Sequence, residues 1–210
     1  MTKKQKALLA VNLLKERYPV AECSLVAKNA HELLIATRLS AQCTDKRVNI
    51  VTKDLFEKYR TIDDFANADV ADIEEIIKSC GLYKTKARDI VNMCIMLRDE
   101  FNGIVPDSIE KLTRLSGVGR KTANLIMGDV FNKPCVVTDT HLIRISNRLG
   151  LVDTKNPAKV ENELRKLLPP DESSDFCHRI VHFGRDVCKA QNPICNACEF
   201  VEVCKYNKSR

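Results

Sequence analysis

The sequence predicts an all-α fold built from many short helices, and three observations carry that expectation. Apolar residues recur at helical spacing along nearly the whole chain, with no alternating apolar/polar run long enough for a strand pair. Residues that start and stop helices recur at helical intervals. Glycine and proline, seven of each in 210 residues, punctuate the chain without forming a low-complexity tract, so little room is left for disorder. The length suits one large domain or two small ones, each with its own core.

Each element can be justified in turn. The opening segment, Met1 to Leu14, sets basic residues ahead of an apolar run, superficially like a signal peptide. Asn12 breaks the run, Lys15, Glu16 and Arg17 follow, and no small-residue cleavage site is present. The segment therefore reads as an amphipathic helix of the mature protein, with Leu9, Leu13 and Leu14 at helical spacing. Thr61 with Asp64, and Asp107 with Glu110 behind Pro106, have the spacing of N-terminal capping boxes. Asp139 precedes a helix whose apolar positions Leu142, Ile145 and Leu149 end at Gly150, a natural C-terminal stop. Pro169 and Pro170 break the chain before a helix that runs from about Ser174 into a cysteine-rich end. Residues Ile73 to Ala87 also echo Ile109 to Ala123 at an offset of 36 residues. Each copy reads as a helix, a tight glycine turn and a second helix, and two copies are too few for a solenoid.

Charge and cysteine usage narrow the function classes. The total, 34 basic against 28 acidic residues for a net of +6, hints mildly at a polyanionic partner. Its distribution says more: Thr61 to Cys80 holds six acids and one base, whereas Lys111 to Arg148 holds seven bases and two acids. No stretch approaches the roughly 20 apolar residues of a membrane helix. Ten cysteines would suit a small secreted disulfide scaffold, but this chain is too long and too charged for one. Four of them, Cys188, Cys195, Cys198 and Cys204, lie within 17 residues in a C-x6-C-x2-C-x5-C pattern, close enough to converge on one metal centre. Structural zinc sites usually offer two short Cys/His pairs, and here only Cys195 and Cys198 form one. Iron–sulfur clusters take four cysteines at more varied spacings. Spacing alone leaves zinc and a four-iron cubane equally placed. The other six cysteines are scattered, consistent with reduced core thiols in a cytosolic protein.

The second copy of the echo, Leu115-Ser-Gly-Val-Gly-Arg-Lys-Thr-Ala123, points to phosphate. Gly117 and Gly119 can take positive φ and bring backbone N–H groups close to a ligand with no Cβ in the way. A helix beginning near Arg120 would add unpaired N–H donors and the positive end of its dipole. Contacts of this kind position a nucleic-acid backbone without reading its sequence. The nucleotide-binding G-x-x-x-x-G-K-[ST] spacing is absent and no strand precedes it. The plainer alternative is a glycine corner that merely joins two helices.

This segment resembles the helix-hairpin-helix of the DNA glycosylase superfamily. Val136-Val-Thr-Asp-Thr-His141, with its aspartate 18 residues after Lys121, resembles that family's catalytic aspartate motif, and the terminal cysteine loop has the spacing of its 4Fe-4S cluster. Leu39-Ser-Ala-Gln-Cys-Thr-Asp45 and Gly81-Leu-Tyr-Lys84 match as well, in the expected order and over essentially the whole chain. The resemblance implies a base-excision DNA repair enzyme: a bifunctional N-glycosylase that removes oxidised pyrimidines and cleaves abasic sites by β-elimination through a lysine Schiff base. It implies that Lys121 is the nucleophile, needing partial burial and a neighbouring cation such as Arg120 to shed a proton held with an ordinary pKa near ~10.4. Asp139 would stabilise the developing sugar cation, while also being well placed to cap a helix. Gln42 and Leu82 would fill the gap and wedge the opposite strand when the base leaves the stack; without the resemblance, Leu82 would read as core and Gln42 as surface. Gly117, Gly119, Arg120, Thr122, His141 and Arg144 would bind the DNA backbone. Cys188, Cys195, Cys198 and Cys204 would hold the 4Fe-4S cluster, away from the chemistry. Lys189 is the sole cation between Cys188 and Cys195, which departs from the family's basic loop and weakens the case for DNA contact there.

The implied architecture has two α-helical lobes. A barrel lobe spans 23–133 and contains the hairpin, and a cluster lobe combines 1–22 with 134–210. Double-stranded DNA would lie in the cleft between them, with Lys121 facing Asp139. A monomer, cytoplasmic and associated with the nucleoid, is expected. The adenine-removing and thymine-mismatch relatives depart at the lysine position. A monofunctional glycosylase and a non-catalytic iron–sulfur DNA-binding module remain as alternatives, and the latter would not require Lys121 and Asp139 together.

Overall fold

Capping chemistry sets the helix ends. In the computed structural model, which describes residues 1–208, Thr2 and Gln5 close a capping box ahead of α1 (Lys3–Arg17). Asn29 caps α2 (Ala30–Leu39) and Thr44 caps α3 (Asp45–Lys58). The expected box of Thr61 and Asp64 forms and opens α4 (Ile62–Ala66), and Asp69 opens α5 (Val70–Ile77). A 3-10 turn (Lys78–Cys80) then leads through Gly81 and Leu82 into α6 (Tyr83–Phe101). The second expected box does not form, because the cap shifts by one residue and Lys111 takes the N3 position. Ser108, not Asp107, takes the extended cap conformation (φ −140°, ψ 136°) and opens the one-turn α7 (Ile109–Leu112). Its hydroxyl donates to the Glu110 carboxylate at 2.8 Å.

The hairpin turn follows and feeds α8 (Arg120–Asp129). Asp139 caps α9 (Thr140–Leu149), which stops at Gly150. Asn156, with Pro157 in the first turn, starts α10 (Pro157–Leu167). The proline pair passes through a second 3-10 turn (Pro170–Glu172) into α11 (Ser173–Asp186), and the chain closes with α12 (Lys205–Lys208). Among the described residues no strand occurs.

The chain divides into two compact units, Cys23–Phe131 and Met1–Glu22 with Asn132–Arg210. In the first, α6 is the spine: Ala87, Ile90, Met93, Cys94 and Leu97 are fully buried, and α4 and α5 pack against it. Phe65 sits buried between Tyr59 and Phe56, with ring centroids 5.3 and 6.4 Å away. A buried phenylalanine of this kind contributes about 1.5–3 kcal/mol through burial alone.

In the second unit, α11 packs against α1 and α9 through Phe176, Ile180 and Phe183. Phe200, from the cysteine-bearing tail, meets Phe183 edge-on at 5.3 Å and is itself buried. The tail is therefore anchored in the core. Arg179 ties the base of α11 to the end of α1, donating to Glu172 and Asp175, each at 3.0 Å, and to the Tyr18 carbonyl at 3.1 Å. A buried guanidinium satisfied at three nitrogens is costly to disturb, because removing its partners strands a charge away from water.

Candidate active site and nucleic-acid interface

The hairpin turn is built around a glycine that admits no side chain. Gly117 has φ +72°, and a Cβ there would stand 2.7 Å from Arg38 Nε and 3.0 Å from Asp89 Cβ. Both neighbours are fixed. Arg38 Nη2 and Nε reach Asp89 Oδ2 at 2.6 and 2.8 Å, and the Ser116 hydroxyl donates to Asp89 Oδ1 at 3.1 Å. Asp89 and Arg38 thus hold the turn from below. Neither was singled out by sequence, since an aspartate in α6 and an arginine in α2 carry no motif.

Gly119 departs from expectation. It takes φ −93° and ψ 175°, extended backbone open to any residue, and serves as the N-cap of α8 with no side-chain cap bond. A Cβ there would meet nothing within 4 Å of protein. Its value lies in the open space, which leaves the first N–H groups of α8 accessible to an anion. Arg120 and Lys121 begin that helix, both exposed, with Thr122 half-buried behind them. The partial burial expected of Lys121 is absent.

Asp139 takes the cap position expected of it. Its Oδ1 accepts the Leu142 N–H at 2.7 Å, which pins the half-buried carboxylate at the start of α9. Two residues on, His141 packs against Gly184 of α11, where a Cβ would stand 2.3 Å from its Nδ1. Arg144 Nη2 lies 3.1 Å from that Nδ1 and donates to the carbonyls of Gly184 at 3.3 Å and Cys188 at 2.9 Å. Arg144 is therefore engaged with the end of α11 and the first cysteine, a different arrangement from the phosphate contact expected of it.

Arg148, one turn further along α9, was missed by sequence reasoning. It donates to the carbonyls of Lys189 at 2.7 Å and Ala190 at 2.9 Å, and to Cys188 Sγ at 3.2 Å, and it lies over the Tyr206 ring at 4.6 Å. The Cys204 thiol donates back to the Arg148 carbonyl at 3.3 Å. One arginine thus braces the first and last members of the cysteine set. The available signal was its i+4 spacing from Arg144 on the same helix.

Cys188, Cys195, Cys198 and Cys204 are all free thiols of intermediate exposure. Burial pushes the Cys198 thiol up to about 11, and Cys188 and Cys204 are among the charges it feels. Among the described residues no three thiol, imidazole or carboxylate groups gather tightly enough to enclose a single ion. A four-iron cluster asks for something else, one thiolate per iron from four cysteines. This donor set, free, sulfur-only and braced by Arg148, fits that requirement.

Gln42 and Leu82 share a conformation that sequence could not reveal. Both are exposed and left-handed, with φ 55° and 50°. Leu82 is 55% exposed and opens α6 without a side-chain cap. A leucine at positive φ is a strained outlier, and a solvated one gains nothing from burial in return. The two residues belong to one unit, and the buried Lys86 joins the bases of their loops. Its Nζ donates to the Leu39 carbonyl at 2.8 Å and the Cys80 carbonyl at 2.9 Å.

Residues 35–170 match the family model of the HhH-GPD superfamily base excision DNA repair proteins. Endonuclease III of Synechocystis is 43% identical over 204 residues, 97% of this chain and 93% of that protein. Two solved structures, a non-covalent endonuclease III–DNA complex and a trapped endonuclease III–DNA covalent intermediate, each superpose with a TM-score of 0.94 at 44% identity, covering 100% of this chain and 99% of theirs. The chain belongs to the HhH-GPD superfamily of base excision DNA repair proteins and, within it, to the endonuclease III family. It is accordingly a base-excision repair enzyme, a DNA glycosylase and abasic-site lyase.

Proposed function

We propose that Lys121 is the nucleophile of a bifunctional glycosylase and lyase acting on oxidised pyrimidines and abasic sites in double-stranded DNA. The observation that carries this reading is the exposed Lys121 in the first turn of α8, beside helix N–H groups that no side chain caps. A phosphate held on those groups brings its own sugar to the adjacent amine. Neutral Lys121 attacks C1′ and the damaged base departs with the bonding electrons. The bound amine then loses a proton and the C1′–O4′ bond breaks. The sugar ring opens, with O4′ taking up a proton and C1′ joined to the lysine as an imine, which acidifies C2′. Removal of the C2′ proton expels the 3′ phosphate and breaks the strand. Asp139, pinned by its cap bond, supplies the negative charge that stabilises the sugar cation and a place for a proton. A relative trapped covalently on DNA supports the same chemistry, because a lysine nucleophile yields such an adduct.

Gln42 and Leu82 act on the duplex rather than the bond: they occupy the space of the extruded base and part the opposite strand. Gly117 and Gly119 let the backbone approach, and Arg120, Thr122, His141 and Arg144 complete the phosphate contacts, Arg144 by way of its hold on His141. Cys188, Cys195, Cys198 and Cys204 carry a 4Fe-4S cluster, which when bound supplies a covalent staple to a tail already anchored by Phe200. The working form is a monomer on nucleoid DNA in the cytoplasm. Among the described residues no helix is long and apolar enough to cross a membrane.

Borohydride trapping on a labelled duplex with one oxidised thymine tests the reading, with Lys121→Gln as the comparison. A covalent adduct and strand scission from the native chain alone are expected. Base loss without an adduct would mean a monofunctional enzyme with water as nucleophile. Binding with neither reaction would leave an iron–sulfur DNA-binding module.

A further inference from the structure

Two cysteines without a part in this chemistry stand at the bases of the two strained loops. Cys43 follows Gln42 directly, and Cys80 lies two residues before Leu82. Both thiols are free, Cys43 half-exposed and Cys80 buried, and their side chains are within hydrogen-bonding reach of each other. The fully buried Lys86 amine is bonded to the Cys80 carbonyl and to that of Leu39, where the Gln42 loop leaves α2. Burial lowers the pKa of the Lys86 amine, and the neighbouring Cys43 and Cys80 thiols oppose that shift.

We propose that Cys43 and Cys80 form a redox-sensitive dithiol whose oxidation to a disulfide locks together the two loops that present Gln42 and Leu82 to DNA. The functional consequence rests on the roles proposed above for those two residues. With a hydroperoxide as oxidant, the half-exposed Cys43 thiolate attacks a peroxide oxygen, the O–O bond breaks, and Cys43 becomes a sulfenic acid. The Cys80 sulfur then attacks the Cys43 sulfur and displaces the sulfenic oxygen as water. Two thiols give up two hydrogens and two electrons, and one hydrogen peroxide accepts them to become two waters. Burial, and after it Cys43, pushes the Cys80 thiol up to about 11, which suits Cys80 to the second step rather than the first.

The bond draws the sulfurs to about 2.05 Å, closer than any hydrogen-bonded contact. The loop tips a residue or two away are already in left-handed backbone with little slack, and a displacement of ~1 Å in a positioned group can cost on the order of 10²-fold in rate.

The experiment uses the cluster-loaded full chain. It is treated with hydrogen peroxide, alkylated and mapped by mass spectrometry, and base removal is timed before and after dithiothreitol. The expected result is a Cys43–Cys80 link, a rate at least about tenfold slower, and recovery on reduction. Cys43→Ser and Cys80→Ala should keep the reduced rate and lose the peroxide effect. Visible absorbance reports the cluster separately. A rate loss that tracks cluster bleaching and persists in Cys43→Ser overturns the proposal. So does a peptide map without the link, or linked protein with an undiminished rate. Should the reduced native chain fail on damaged DNA, the lysine mechanism falls, and the peptide map still decides whether the dithiol forms.

Discussion

The two helix–turn–helix copies share a frame and differ in what they put at the tip. Gly81 and Gly117 occupy the same position of the 36-residue echo, and both are left-handed, with φ +67° and +72°. Ala87 and Ala123 are both fully buried where the second helices enter the core. Between those anchors the copies part. Leu82 stands 55% exposed in strained backbone, whereas its counterpart Val118 is 6% exposed and packed. Both copies set an exposed cation at the start of the second helix, Lys84 and its counterpart Arg120, but the first copy adds the buried Lys86, bonded to two carbonyls, and the second adds the exposed Lys121. The same backbone device thus presents an exposed apolar side chain in one copy and a basic pair at a helix start that no side chain caps in the other. Only side-chain placement tells them apart.

The largest expected effect breaks the second copy alone. Lys121→Gln should abolish the borohydride adduct and slow strand scission by at least about 10³-fold. Denaturation midpoints should hardly move, because an exposed side chain away from packing changes stability by no more than about 0.5 kcal/mol.

Next come the paired glycines. Gly117→Ala should lose about 1–2 kcal/mol for its left-handed backbone, and more as its Cβ displaces Arg38 from Asp89. Gly81→Ala meets nothing within 4 Å and should lose only the backbone share. Urea unfolding measures each loss, and a Gly117→Ala loss no larger than the backbone share of about 1–2 kcal/mol would refute the role given to Arg38 and Asp89.

The tips give a crossed expectation. Leu82→Ala should leave stability within about 0.5 kcal/mol and slow base removal from duplex by roughly tenfold, reflecting unstacking worth a few kcal/mol. Val118→Ala should do the reverse, losing about 1.5 kcal/mol of stability for two buried methyl groups with only a small change in the rate of base removal. Single-turnover kinetics beside unfolding curves would show whether the two effects cross.

The smallest effect lies outside both copies. Lys15, then Arg179, hold the Glu172 carboxylate below its usual range. A depressed acid contributes stability above its unfolded pKa, near ~4.3, and loses it as pH falls through the folded value. Melting temperature should therefore drop more steeply below about pH 4.3 in the native chain than in Glu172→Gln.

Much of the fold was legible because helix signals are local. Thr61 with Asp64, and Asp139 with Gly150, act through bonds to neighbours in the chain, and both stand where spacing put them. Asp107 failed because Ser108, the next residue, can cap as well, and a choice of one residue depends on how the preceding chain enters the turn. The hairpin was legible for the same local reason. Arg38, Asp89 and Arg148 were not. Each acts on a segment 27 or more residues away, Arg148 reaching the Cys188 sulfur 40 residues on.

By itself, then, the sequence determined the helices, their caps, the echo at 36 residues and the residue types that could do chemistry, all of which depend on interactions within a turn or two. Tertiary structure decided which side chains face water: of the pair Leu82 and Val118, Leu82 out and Val118 in, and among the lysines Lys86 buried and Lys121 exposed. It also brought Cys43 to Cys80 and turned Arg144 onto Gly184 and Cys188. Exposure and long-range contact are fixed only when the faces of separate helices pack, and no local pattern encodes that.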